Sequence, residues 1–214
     1  MSKGAQIEQE SFDIIRAGLR RSFSEAELAI VQRVIHASGD FSFEDNIRFH
    51  PRAIEAGIEA IREGKDILVD VHMVQAGINK RLLEHFGGEV LCYISEPDVA
   101  VEASRLSLTR SECAIMRAFS VAANIGIVAI GNAPTALLKL LEIVSDVSTF
   151  FTAGGRTSPP DLIVGIPVGF VKAEESKDLL LASRYPFITS VGKKGGSSIA
   201  AATVNALLKL SAEE

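Results

Sequence analysis

The sequence predicts a single three-layer α/β/α domain spanning 1–214, with a mostly parallel central sheet of about five strands. Five apolar runs of strand length, at 66–71, 90–94, 126–130, 162–166 and 187–191, lack polar alternation. Strands of that kind are buried on both faces. Helix-like segments alternate with them at 72–86, 99–124 with a break near Thr109, 134–148 and 174–183, and a last one follows at 197–210. The chain has 214 residues, 47% of them hydrophobic, enough for one sizeable core, and shows no internal repeat or linker.

Taken in order, residues 6–19 set Ile7, Phe12, Ile15 and Leu19 on one face of an amphipathic helix. Ser24 reads as the N-cap of a second helix, with Glu25 and Glu27 in its first turn. The apolar side of that helix, Ala26, Ile30, Val34 and Ile35, ends beside His36, just before the Ser38-Gly39-Asp40 break. Residues 40–50 predict a polar and aromatic loop able to cover a ligand, Pro51 opens a helix running to about Arg62, and Gly64 ends it. Asp70 ends the first strand, and Asp70 and Asn79 bracket Met73-Val-Gln-Ala-Gly77 in the helix that follows. Gly131-Asn132-Ala133-Pro134 is a tight turn into a Pro-started helix. Residues 152–160, rich in Gly, Thr, Ser and Pro, predict a mobile loop. Gly192-Lys-Lys-Gly-Gly-Ser197 joins the last strand to the last helix.

A net charge of -5 argues against a general nucleic-acid binder, although the loops around Arg110 and Lys193-Lys194 are locally basic. Apolar runs are broken before membrane-spanning length, and the N-terminus lacks an apolar signal core, so no membrane segment and a cytoplasmic location are expected. Cys92 and Cys113 read as buried reduced thiols. His36, His50, His72 and His85 show no metal-ligand spacing, so a protein-held zinc site is not expected.

Ligands of open α/β sheets collect beyond the carboxyl ends of the strands, where Asp70, Gly131-Asn132, Pro167-Val168-Gly169 and Gly192 fall. The Gly192–Ser197 turn offers backbone N–H groups and two cations at a helix N-terminus, a seat for a carboxylate or simply a turn with solvated lysines. Asn132 reads as a helix cap or as a donor and acceptor for a flat ligand. Arg110, followed by Ser111, is a fork for a carboxylate or an ordinary salt-bridging residue. Asp70 is a ligand contact or a cap, and the Met73 segment is more often core than cofactor surface. His36 either complements its helix dipole or acts as an acid.

Six segments in order, Val34-Ile-His-Ala-Ser-Gly-Asp40, Asp70-Val-His-Met-Val-Gln-Ala-Gly-Ile78, Thr109-Arg-Ser111, Gly131-Asn-Ala-Pro-Thr-Ala-Leu137, Gly165-Ile-Pro-Val-Gly-Phe-Val171 with Glu175-Ser-Lys177, and Gly192-Lys-Lys-Gly-Gly-Ser197, resemble the precorrin-8 methylmutases of cobalamin biosynthesis. The resemblance runs from about Ser11 to about Leu208. It implies an isomerase that moves a methyl group between adjacent carbons at ring C of precorrin-8, or of its cobalt-containing counterpart, to give hydrogenobyrinate or cobyrinate. It also implies His36 as general acid and a tetrapyrrole held by Ser38, Asp70, Met73, Asn79, Arg110, Ser111, Asn132, Lys193, Lys194, Gly195, Gly196 and Ser197. A homodimer with crevices completed by the partner chain follows from the same resemblance. Around His36 and Phe49-His50-Pro51 the likeness leans toward the cobalt-using branch. His72 departs from the family pattern, in which another polar or acidic residue commonly precedes Met-Val. Two rival readings are a corrinoid carrier without turnover and a dinucleotide-dependent oxidoreductase. The second lacks a Gly-x-Gly-x-x-Gly turn after any strand.

Overall fold

The computed structural model describes residues 3–145, 151–152, 155–156 and 158–213. In chain order the first half contains α1 (Lys3–Gly18), α2 (Glu25–Ser38), α3 (Phe43–Asn46), β1 (Ile47–Phe49), α4 (Ala53–Arg62), β2 (Asp66–Val69), α5 (His72–Gly77), α6 (Lys80–Phe86), β3 (Val90–Leu91) and α7 (Pro97–Leu106). The second half contains α8 (Arg110–Val121), β4 (Ile125–Ile130), α9 (Pro134–Ser145), β5 (Phe151–Thr152), β6 (Gly155–Arg156), β7 (Leu162–Gly165), α10 (Ala173–Leu181), β8 (Phe187–Ser190) and α11 (Ser197–Ala212).

The central sheet runs β1-β8-β7-β4-β2-β3. All its pairings are parallel except that of β1 with β8. Ile67, Val69, Ile127, Ala129, Leu162, Val164 and Ile188 pack into one core with buried residues of α2, α4 and α11. Leu68, Val128, Ile130, Ile163 and Phe187 pack into the other with α8, α9 and α10. The strands are apolar on both sides because helices cover both sides. α7 lies outermost, and its Val99 and Ala103 meet Cys113 and Ala114 of α8.

The sheet has six strands where the sequence predicted about five. The sixth, β1, lies inside the expected 40–50 loop, with Ile47, Arg48 and Phe49 opposite Ser190, Thr189 and Ile188. Three residues carry too little periodicity to announce a strand; pairing with the edge of β8 makes it one. α3 in the same segment is held by Glu44, a buried carboxylate bonded by the Arg20 side chain at 2.8 Å and backbone N at 2.8 Å.

The expected helix at 72–86 is two helices. Ile78 is extended, and Asn79 caps α6 by accepting from the Leu82 N–H at 3.2 Å. Asn205 on α11 holds the break, accepting from the Asn79 N–H and donating to the Gly77 carbonyl, both at 2.8 Å. The expected break near Thr109 is present, and Thr109 with Glu112 forms a capping box for α8. Ser24 with Glu27 does the same for α2. Of the helix expected at 134–148, residues 146–148 lie outside the described residues, as does much of the expected mobile loop at 152–160. What is described there pairs β5 antiparallel with β6. Among the described residues no helix is long and apolar enough to cross a membrane.

From β2 the chain steps to β3 on one side, then to β4 on the other, and onward to β7 and β8. The β2/β4 junction is therefore the switch point, where an α/β sheet opens a crevice at its carboxyl ends.

Candidate active site

Asp70 stands at this switch point. Its buried carboxylate accepts from the backbone N–H groups of Gly131 (3.0 Å), Asn132 (2.9 Å) and Ala133 (2.7 Å). Burial pushes the carboxyl's pKa up, against the pull of these three donors. The head of α9, which would otherwise seat an anionic ligand, is already filled by a carboxylate of the chain itself. Asp70 caps α9 across the sheet rather than α5 beside it, and among the described residues α5 has no side-chain cap. Gly131 is required by a close approach, since a Cβ there would stand 2.7 Å from the Ser197 Cα. The turns heading α9 and α11 thus touch backbone to backbone. Asn132 is exposed and Ser197 is buried.

The turn heading α11 is built differently. The Gly196 N–H donates to the Ile166 carbonyl at 2.9 Å, and the Gly169 N–H to the Lys193 carbonyl at 3.2 Å. A Cβ on Gly195 would collide with the Ile166 carbonyl. Beneath the turn, buried Lys177 of α10 donates to the Lys194 carbonyl at 2.7 Å, and the Ser190 hydroxyl donates to the same oxygen at 2.8 Å. The Lys194 ammonium reaches across to the segment after α2, donating to Asp40 Oδ2 at 2.6 Å and Ser42 Oγ at 2.7 Å. Lys194, with help from Ser42, holds the Asp40 carboxyl at about 2. The Lys193 Nζ sits 5.5 Å from the centre of the Phe170 ring. Among the described residues, no protein group accepts from the N–H of Lys193, Lys194 or Gly195.

His36 occupies the last turn of α2. Gly39, in the left-handed conformation at φ 66°, closes the helix by donating to the Ile35 carbonyl at 2.7 Å. Ser38 donates to the Val34 carbonyl at 2.9 Å and accepts from the Asp40 N–H at 3.2 Å. The imidazole is exposed and meets the Phe12 ring edge-on, centroids 5.5 Å apart, with no hydrogen-bond partner among the described residues. Because Asp40 is tied to Lys194, the end of α2 that carries His36 is strapped to the glycine-lysine turn.

Arg110, exposed at the first position of α8, has no ion pair among the described residues. A contact of 3.0 Å between the Thr109 and Thr135 hydroxyls sets this helix start beside the head of α9, with Ser111 half-buried next to it. Met73, on α5 just beyond β2, is 73% exposed, and Phe170 and Val171, in the segment after β7, are 88% and 76% exposed. Phe170 and Val171 follow Gly169, whose N–H ties this segment to the turn heading α11. Asn79 stands apart from this group. It docks on Asn205, about 12 Å along α11 from Ser197 at 1.5 Å per residue.

His72 holds structure together: its Nδ1 meets Gln75 Oε1 and its Nε2 meets Ser95 Oγ, both at 2.9 Å. Lys177 and Asp40, which shape the turn at 192–197, carry no role in the sequence reading, although Glu175-Ser-Lys177 and the Asp40 break were both visible in it. Among the described residues no group of three or more His, Cys, Asp or Glu stands close enough to hold a metal ion. Cys92 is half-buried and Cys113 buried, both as free thiols whose pKa burial raises.

The family model described as precorrin-8X methylmutase matches residues 6–210. A cobalt-precorrin-8 methylmutase of Priestia megaterium is 46% identical over 203 residues, 94% of this chain and 86% of that protein. One of Leptospira interrogans is 41% identical over 219 residues, 98% of this chain and 95% of that protein. The crystal structure of a precorrin-8X methylmutase from Thermus thermophilus superposes with a TM-score of 0.85 at 38% identity, covering 98% of this chain and 97% of the other.

Proposed function

The chain belongs to the precorrin-8X methylmutase family, and from that premise we propose how the carboxyl edge of its sheet isomerises a tetrapyrrole. The protein is an intramolecular methyl-transferring isomerase of cobalamin biosynthesis. Its substrate is precorrin-8X or cobalt-precorrin-8, and any cobalt arrives in the macrocycle as part of the substrate. A methyl group moves between adjacent carbons at ring C, giving hydrogenobyrinate or cobyrinate. The shift is concerted and gains conjugation in the product, so it calls for no covalent nucleophile and no change of oxidation state.

The protein's part is then to hold the macrocycle and to move one proton. His36 donates a proton to the ring system, the π-system becomes cationic as the methyl migrates, and the imidazole recovers the proton afterwards. Imidazole suits this task because it exchanges protons in the neutral range. The observation that carries the reading is the placement of His36: exposed, without a hydrogen-bond partner among the described residues, and strapped through Asp40 to a turn with unused donors. Arg110, Lys193 and the N–H groups of the 193–195 backbone receive the peripheral carboxylates. Lys194 joins them by exchanging Asp40 for a substrate carboxylate, which is feasible because half-exposed ion pairs hold with no more than about 1 kcal/mol. Asn132 contacts the macrocycle face. Asp70 acts from below by shaping the turn that carries Asn132.

Exposed Met73, Phe170 and Val171 support a homodimer in which the partner chain covers this rim and completes the crevice. A monomer by light scattering at working concentration would remove that part. The cell compartment consistent with this reaction is the cytoplasm. The test of function is incubation with precorrin-8X and with cobalt-precorrin-8 in parallel while following the visible spectrum. Conversion of either supports the reading, and stable binding of both without conversion rejects it.

A further inference from the structure

Lys177 is the largest fully buried side chain among the described residues. Its Nζ donates to the Lys194 carbonyl at 2.7 Å and to Ser190 Oγ at 3.4 Å, and no carboxylate is hydrogen-bonded to it among the described residues. Glu174 and Asp178, on the same helix, act on it only through space, and burial pulls its pKa down to about 8. A buried ammonium without a carboxylate partner is costly, and an apolar side chain would fill the same volume at lower cost. Space-filling therefore does not account for a lysine here.

Peptide geometry does. In a trans peptide the C=O and the following N–H point in opposite directions. Lys177 and Ser190 draw the Lys194 carbonyl into the protein, which turns the Gly195 N–H the other way. One residue earlier, the Gly169 N–H holds the Lys193 carbonyl and so turns the Lys194 N–H away from Gly169. Two successive donors at the head of α11, next to the Lys193 and Lys194 side chains, thereby face away from the groups that hold the carbonyls.

We propose that Lys177 is a positioning residue for the isomerisation, holding the Lys194 carbonyl inward so that the Gly195 N–H and the Lys194 side chain are presented to a carboxylate of the tetrapyrrole. This rests on the function proposed above, and the experiment separates the two. Steady-state kinetics with whichever tetrapyrrole the wild type converts are compared with hydrogen exchange of the Gly169 and Gly196 amides, for the wild type, Lys177→Met and Ser190→Ala. Lys177→Met should raise KM about tenfold, the equivalent of one lost hydrogen bond, while kcat changes much less. The Gly169 and Gly196 amides, which are hydrogen-bonded across the turn, should exchange faster. Ser190→Ala, which leaves the ammonium in place, should move both quantities in the same direction by less, and it decides the matter if Lys177→Met does not fold. Faster exchange with an unchanged KM would overturn the proposal, as would unchanged exchange or a loss confined to kcat. If the wild type converts neither tetrapyrrole, the proposed function fails, while the exchange data still report whether Lys177 restrains the turn.

Discussion

Two turns of the same construction, strand to helix at the same edge of the sheet, lie backbone to backbone and are finished in opposite ways. At the head of α9, three N–H groups are consumed by Asp70, which reaches over from β2. At the head of α11, the protein grips carbonyls instead, through Lys177, Ser190 and the Gly169 N–H, and among the described residues nothing accepts from the neighbouring N–H groups. A helix N-terminus is an anion site only when its own chain has not supplied the anion. The closed turn has these three donors already taken, and the open one is where we propose that a substrate carboxylate binds. The closed turn also weakens the dinucleotide reading, because the usual phosphate seat at the switch point is taken.

The largest expected effect falls beside the open turn. His36→Ala should fold normally, still bind the pigment, and lose about 10²–10⁴ in kcat, the usual range for general acid catalysis. Turnover near the wild-type rate would return His36 to the role of a helix-end residue and leave the open turn without chemistry.

The closed turn should fail in stability rather than in affinity. Asp70→Ala leaves three N–H groups without an acceptor in a buried place, at a cost of about 3 kcal/mol or more in urea unfolding. Asp70→Asn, which keeps one acceptor oxygen, should cost less. A stable Asp70→Ala variant would mean that the turn needs no carboxylate.

Smaller effects are expected where the open turn meets substrate. Arg110→Ala and Lys194→Ala should each raise KM roughly tenfold with unfolding midpoints unchanged, since both side chains are exposed. Spectral titration with the reaction product checks this independently of turnover, and unchanged affinity in both variants would make the turn merely structural.

The smallest effect is a pH slope. The Lys177 pKa is depressed from 10.5 to about 8, so between these values the unfolded chain binds more protons than the folded one. Stability from this group therefore rises with pH across that window, and Lys177→Met should flatten the rise in denaturation curves. Asp40 works at the other extreme. Its carboxyl, held at about 2 against an ordinary 3.8, contributes stability above 3.8 that is lost as pH falls through about 2. With both partners half-exposed, that loss should be slight.

How much was legible follows from how local each signal is. Apolar runs, the capping serines and threonines and the Gly-rich turns are short-range chemistry, and they foretold the five parallel strands, the Ser24 and Thr109 helix starts and the turns at 131 and 192. The edge strand β1 was not legible, because three residues become a strand only when β8 offers its edge. Not legible either was that the Asn79 side chain caps α6 and its backbone docks on Asn205, far along the sequence. Asp70 is the sharpest case. A carboxylate just before a helix reads as the cap of that helix, and only the strand order, which sets β4 beside β2, gives it the N–H groups of residues 131–133 instead.

By itself, the sequence determined the layer order, the buried strands, the end of α2 with its histidine and, through six ordered segments, the family. Those depend on periodicity and on residue chemistry within a few positions. Tertiary structure alone decided which helix head is closed and which is open, that Lys194 straps to Asp40, and that a buried lysine on α10 orients a peptide of the open turn. Each of these joins groups from different elements, and a hydrogen bond has no sequence signature until the sheet has brought its donor and acceptor within about 3 Å.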